Sequence, residues 1–264
     1  MNEQQNNGLS VSFRIDDGII EHNNRSFIAK NVVRERIPDN ITYKKQNIRE
    51  FYSELFGEAL AEYNSRMKRR DRIIPNYYEH IRKGKQEKTF EEIVVQFGDI
   101  NDCSVGSENG ELAKQMLDEY MRGFEARNPN LKVFNAVMHL DEATPHLHID
   151  FVPITHTGSR GLSTRVSMSG ALREMGFAPE NKFLTEWVAW SDSERAVMEK
   201  ILREHGLYRD DKNVHREHWS VDEYKRKKQA AQEIRSMNDH INALKKKSDD
   251  SYTSEEIAAI KNQN

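Results

Sequence analysis

Ten consecutive residues, His139-Leu140-Asp141-Glu142-Ala143-Thr144-Pro145-His146-Leu147-His148, carry three of the chain's ten histidines and two carboxylates. Imidazole is the commonest protein ligand for metal ions, so the chemistry this cluster points to is a metal centre. On an extended strand alternate side chains share a face, which places His146 and His148 together, roughly 6–7 Å apart at Cα, with Leu147 and Ile149 turned away. A His-x-His pair by itself is weak evidence in a chain with this many histidines. His139, at the opposite mouth of the same turn, makes the set convergent. Three imidazoles leave coordination positions open to water or substrate, as catalytic sites do, whereas structural zinc is closed by four ligands and often by thiolates. A Cys-rich site is excluded by count, because Cys103 is the single cysteine. Glu142 is open to three roles, as fourth ligand, orienting partner or general base. Asp141 is read as a cap of the turn.

The elements that must position these residues are legible on both sides. Val133 to Met138 leads into the histidine segment and Ile149 to Val152 leads out, both rich in β-branched and aromatic residues, which predicts an antiparallel hairpin. Leu9 to Ile15 and Phe90 to Phe97 read as further strands. Asn47 followed by Glu50 is a capping-box-like helix start, and Ile48, Phe51, Tyr52, Leu55, Ala59, Leu60 and Tyr63 recur at helical spacing. Helices are expected from Glu108 to Arg127, with Leu112, Met116, Tyr120 and Phe124 on one stripe, and from Lys182 to His205, whose Trp187 and Trp190 are assigned to packing. The pattern is an α+β domain: a central antiparallel sheet with helices packed around it. A length of 264 residues is ample for one buried core with an appendage. Residues 1–218 are expected to form the main domain, and 219–264, where apolar positions are sparse, a charged helical extension.

With these motifs in place the chain resembles a known family. His146-Leu147-His148 is similar to the His-hydrophobic-His signature of the HUH endonucleases. The full string from His139 resembles the third motif of MobV-type plasmid mobilisation relaxases, also called Pre/Mob plasmid recombination enzymes. Glu21-His22-Asn23-Asn24-Arg25 resembles that family's first motif, His-x-x-Arg, and Asn31 to Asn40 stands loosely where its second motif sits. The resemblance covers roughly residues 8 to 235. It implies a palm-like relaxase sheet and a metal-dependent endonuclease and strand transferase. Such an enzyme nicks one strand of a plasmid transfer origin, single-stranded or hairpin, holds the 5′-phosphate covalently and later rejoins it.

The resemblance also implies roles for particular residues. His139, His146 and His148 become the ligands of a divalent ion, Mn²⁺ or Mg²⁺, and His22 the nucleophile that forms a phospho-histidine. A neutral imidazole is competent for that near pH 7, its unperturbed pKa being about 6.5. Glu142 becomes base or orienter of His22. Arg25 becomes a bidentate phosphate clamp, unless it pairs with Glu21, and Asn40 and Arg36 become contacts to DNA. Relatives continue into coiled coils, so the chain is expected to be the N-terminal part of a longer protein or a short member. A homodimer through the C-terminal helical region and contacts with the conjugation coupling machinery follow as expected partners.

The net charge of -3 argues against a nucleic-acid partner if only the sum is considered. Distribution argues the other way. Arg66 to Arg72 and Arg82 to Lys88 are basic blocks flanking Tyr77 and Tyr78, and aromatics beside a basic groove suit single-stranded DNA. Tyr77 is therefore expected to stack on bases, and Arg160 and Arg165 to touch the DNA backbone; a solvated helix face is the alternative for every block, with equal weight for Lys225 to Lys228 and Lys245 to Lys247 and less for the two beside the tyrosines. No Gly-x-x-x-x-Gly-Lys-Ser/Thr string occurs, so no nucleotide cofactor is expected. With no signal-peptide pattern, no apolar run of about 18 residues and a lone cysteine, the expected location is the bacterial cytoplasm. Other classes stay open. An HUH replication initiator or transposase would use a tyrosine nucleophile, with Tyr43, Tyr77 and Tyr78 as candidates. A non-catalytic origin-binding repressor would bind DNA without an adduct, and a small-molecule hydrolase would need a closed pocket.

Overall fold

Alternating apolar residues build a sheet whose two faces have different fates. In the computed structural model, residues 8–156, 161–179 and 183–210 are described, all within the first of the chain's two units, Met1–Lys212 and Asn213–Asn264. Residues 219–264, and with them the expected helical extension, lie outside the described residues. The chain runs through β1 (Gly8–Leu9), β2 (Val11–Asp16), α1 (Ile20–Asn23), β3 (Ile41–Lys45), α2 (Ile48–Ser65), α3 (Tyr77–Lys83), β4 (Glu91–Phe97) and α4 (Glu108–Arg127). It continues through β5 (Leu131–His139), β6 (His146–His156), β7 (Thr164–Val166), α5 (Met168–Glu174), α6 (Glu186–Glu204) and β8 (Tyr208–Arg209). A six-stranded antiparallel sheet has the order β2-β4-β6-β5-β3, with β7 paired to β6. β1 and β8 form a separate parallel pair. The α+β class expected from the sequence is the class observed.

β6 is central, and its odd and even positions separate the faces. Leu147, Ile149 and Phe151 join Ile93, Val95, Ala136 and Met138 in a core closed by Met116, Leu117, Tyr120 and Phe124 of α4 and Trp190 and Met198 of α6. On the other face β6 presents His146, His148, Asp150, Val152 and Ile154. Val152 and Ile154 are buried with Phe51, Tyr52 and Phe56 of α2 and Tyr77 of α3. The helices thus cover the apolar end of this face. The polar end, where the histidines stand, is left to the hairpin and α1.

Local chemistry explains the element ends. Asn47 Oδ1 accepts the backbone N–H groups of Arg49 at 2.9 Å and Glu50 at 3.4 Å, starting α2 as its sequence predicts. Ser107 Oγ does the same for Gly110 at 3.0 Å at the start of α4. α6 begins at Glu186 rather than near Lys182, with Thr185 as N-cap; Lys182 itself lies outside the described residues. Before α1 the chain turns at Gly18, whose φ of +68° suits glycine and where a Cβ would stand 2.4 Å from the Phe90 ring. Among the described residues no helix is long and apolar enough to cross a membrane.

Candidate active site

Hairpin register brings the three histidines together. His139 and His146 are direct cross-strand partners, and His148 stands opposite Val137 two pairs further in. The ring centroids of His139, His146 and His148 are 5.2, 4.6 and 5.0 Å apart, taken as 139–146, 139–148 and 146–148. His22, carried by α1, lies edge-on to His139 at 5.6 Å and to His148 at 5.7 Å. Glu142, in the turn, places Oε1 3.6 Å from His22 Nε2 and 3.9 Å from His139 Nδ1. Five of the residues singled out in the sequence therefore converge on one point, although His22 is more than a hundred positions from the rest.

Each imidazole of the hairpin has one nitrogen committed and one free. His139 Nε2 donates to the backbone carbonyl of Asn23 at 2.9 Å, His146 Nδ1 to that of Thr144 at 2.8 Å, and His148 Nδ1 to Glu92 Oε1 at 2.6 Å. These acceptors select the tautomer and leave lone pairs on His139 Nδ1, His146 Nε2 and His148 Nε2. His139 Nδ1 and His148 Nε2 are buried and have no hydrogen-bond partner, an unfavourable state that a bound cation would relieve. Burial, reinforced by the neighbouring imidazoles, pushes His139 down to about 2 and His148 well below the ordinary range. His146 is lowered by burial as well. Neutral, aimed imidazoles are the state a divalent ion requires, so the donor set fits one. Two triads bring their ligand atoms within 4.8 Å of one another: His22, His139 and His148, and His139, Glu142 and His146.

Several decisive residues had not been singled out. Asn23, buried beside His22, donates through Nδ2 to Glu92 Oε1 at 2.8 Å and Asp150 Oδ2 at 3.0 Å, while its carbonyl holds His139. Asn135 supplies Asp150 Oδ2 with a second donor at 2.7 Å. Burial pushes the Glu92 carboxyl up to about 7, and burial together with the Glu92 charge does the same for Asp150. A signal for Asp150 was present in the alternation His146-x-His148-x-Asp150, which puts it on the histidine face; Glu92 likewise alternates with Val94.

Asp141 requires a correction: it is a fully buried carboxylate, more than a turn cap. It grips Arg25 with two hydrogen bonds, 2.7 Å to Nε and 2.6 Å to Nη2, and accepts Asn40 Nδ2 at 2.7 Å. Although burial opposes it, these donors hold the Asp141 carboxyl below its ordinary value. Arg25 also reaches Glu142 Oε1 at 2.9 Å and the His22 carbonyl at 3.1 Å, and its side chain is only 6% exposed. Its guanidinium is thus consumed inside the protein, paired with neither Glu21 nor a free surface for phosphate. Arg25 holds φ at +56°, a left-handed conformation that its anchored side chain stabilises. Asn40 is consumed in the same way, its Oδ1 accepting Leu140 N–H at 2.7 Å.

The remaining expected DNA contacts are dispersed. Tyr77 is 7% exposed, edge-on to Phe56 at 4.9 Å, with its hydroxyl accepting Val166 N–H at 3.2 Å, so its ring serves packing and not base stacking. Arg36 lines a cavity of about 440 Å³ behind the hairpin, next to Leu140 and Pro145. Arg165 is exposed on β7. Arg160 lies outside the described residues.

A family model described as plasmid recombination enzyme matches residues 17–226. Among solved structures the chain is similar to the MobM relaxase domain bound to plasmid pMV158 oriT DNA of 22 nucleotides, Mn-bound at pH 5.5. The identity is 18% and the TM-score 0.49, covering 82% of this chain and 98% of that one. The Mn-bound complex with 23 nucleotides at pH 6.5 gives 20% identity, a TM-score of 0.46 and coverage of 82% and 97%. No curated protein sequence matches the chain.

Proposed function

The chain belongs to the plasmid recombination enzyme family, the MobV-type relaxases, and from that membership we propose that it nicks and rejoins one strand of plasmid DNA at a transfer origin. The observation that carries the reading is the position of His22, its imidazole within 6 Å of two hairpin histidines whose buried lone pairs have no partner. His139, His146 and His148 hold a divalent ion, Mn²⁺ or Mg²⁺. When bound, that ion supplies Lewis-acid stabilisation of the non-bridging phosphate oxygens.

His22 is the nucleophile. A ring nitrogen attacks the scissile phosphorus, the P–N bond forms and the P–O3′ bond breaks. The 3′-oxygen leaves and takes up a proton from water, and the imidazole N–H proton passes to Glu142 as the ring becomes a neutral phosphoramidate. Strand transfer reverses these steps with a 3′-hydroxyl. Arg25 and Asp141 act as positioning residues, fixing the loop of His22 to the turn of Glu142. The tyrosine candidates are less suited. Tyr43 donates its hydroxyl to Asp118 at 2.9 Å, and burial raises the pKa of both Tyr43 and Tyr77.

The test is incubation with Mn²⁺ and supercoiled plasmid carrying candidate origins, followed by denaturing electrophoresis and mass spectrometry. The expected product is a 5′-phosphate adduct on His22. An adduct on tyrosine would replace the nucleophile, and tight binding without an adduct would favour an origin-binding repressor. The triad of His22, His139 and His148 favours a second reading, in which His22 is itself a ligand. Calorimetry of His22→Ala separates the two. Retained Mn²⁺ affinity with nicking abolished supports the nucleophile, whereas lost affinity makes His22 a ligand.

A further inference from the structure

Beside β7, at the end of β6 away from the histidines, lies a cavity of about 560 Å³ whose walls include Tyr63, Tyr77, His80, Lys85, Glu87 and Arg165. That volume is in the range of small-ligand sites. We propose that this cavity binds one nucleotide of the DNA strand, base against His80 and phosphate between Lys85 and Arg165. The inference rests on the relaxase reading above and adds a second anchoring point for the DNA.

Three observations carry it. His80 is exposed and lies nearly parallel on the buried Tyr77 ring, centroids 6.1 Å apart at 18°, so its plane is fixed by a packed support and one face remains for a base. Lys85 and Arg165 are exposed, come from different elements and have no ion-pair partner among the described residues. Most other cations around them are spent: Arg66 pairs with Glu62, Arg69 with Asp71, and Arg82 with Glu79. Glu87, also on the wall, is an acceptor for the exocyclic amine of cytosine or adenine. Two cations unpaired among the described residues, lining one cavity together with Tyr63, Tyr77 and His80, combine the charge and the aromatic surface that suit a base with its phosphate.

Location adds a geometric consequence. The cavity touches Val166, the cross-strand partner of Ile154, six residues along β6 from His148. At about 3.3 Å per residue His148 and Ile154 are about 20 Å apart along β6, a span of several nucleotides. A strand held in the cavity would therefore be anchored several nucleotides from the scissile phosphate, setting register without touching the reacting atoms.

The test uses the full chain and fluorescent single-stranded 16-mers of mixed sequence, with affinity measured between 50 and 200 mM salt, concentrations taken from the usual range for such measurements. Lys85→Ala/Arg165→Ala is compared with Lys68→Ala/Lys83→Ala, which removes equal charge outside the cavity. The expected result is about a tenfold loss for the cavity pair, a salt slope shallower by about 0.7, and little change for the control pair. His80→Ala should weaken binding with the slope unchanged, and 5-iodouracil crosslinks should map to α3. Equal losses for both pairs, or none for the cavity pair, would overturn the cavity site while leaving DNA binding intact. Failure of the unaltered chain to bind any 16-mer would sink the relaxase reading together with it. Calorimetric Mn²⁺ binding, expected unchanged in the cavity variants, shows that the hairpin remains folded.

Discussion

Arg25 and Glu92 show how much of the site's chemistry is positioning. Arg25 sits between a fully buried carboxylate and Glu142, so its removal leaves Asp141 charged and unpaired in the interior. Arg25→Ala is expected to destabilise the protein by about 3 kcal/mol, measured by urea unfolding. Arg25→Lys should not restore it, because an ammonium cannot reproduce the two parallel bonds to Asp141. A loss below about 0.5 kcal/mol would mean that Asp141 finds other partners or water. Glu92 acts through His148, accepting Nδ1–H and so keeping Nε2 bare. Glu92→Ala should reduce Mn²⁺ affinity by about 10- to 100-fold in calorimetry, the usual cost of losing an orienting partner. Glu92→Gln, which retains an acceptor oxygen, should lose less. Equal affinity in all three proteins would remove Glu92 from the metal site.

At the scale of elements, the histidine face depends on what holds the far end of β6. Glu174, in the last turn of α5, accepts from Thr155 Oγ1, from the His156 N–H at 2.6 Å and from Asn130 Nδ2 at 2.7 Å, tying the helix to β6 and to the turn before β5. Burial pushes its carboxyl up, but these donors prevail and hold it below the ordinary glutamate value. A depressed folded pKa contributes stability that is present above the unfolded value of about 4.3 and is lost as pH falls through the folded one. Glu174→Gln should therefore cost about 1 kcal/mol near neutrality. The difference from the unaltered protein should shrink in acid, as followed by urea melts from pH 7 down to about 3. A difference that persists unchanged in acid would assign the effect to packing instead of charge. The antiparallel hairpin, α2 and α4 were legible because their signals are local: alternation, an Asn cap, and an apolar stripe. The coverage of one sheet end by α2 and α3 was not, because it depends on the order of strands.

For the molecule as a whole, the unpaired buried nitrogens mean that folding and metal binding are linked. Mn²⁺ at about 100 times its Kd should raise the unfolding free energy by about 2.7 kcal/mol, read as a shift in the urea midpoint, and His148→Ala should abolish the increment. No shift in the unaltered chain would show that the histidines hold no ion. The sequence alone determined the hairpin, the sharing of one face by His146 and His148, the exclusion of a thiolate site and the resemblance that singled out His22. These depend on neighbours within a few residues, where strand periodicity and turn chemistry act. Tertiary structure alone decided that Asn23 and Glu92 meet beneath His148, that Arg25 and Asn40 are consumed by Asp141, and that Tyr77 is buried. The pairs Asn23–Glu92, His148–Glu92, Arg25–Asp141, Asn40–Asp141 and Tyr77–Val166 lie 56 to 116 positions apart in the chain. Which distant residue meets which follows from placing β4 and β5 on either side of β6, a choice made by burial of the whole sheet and not by any local pattern.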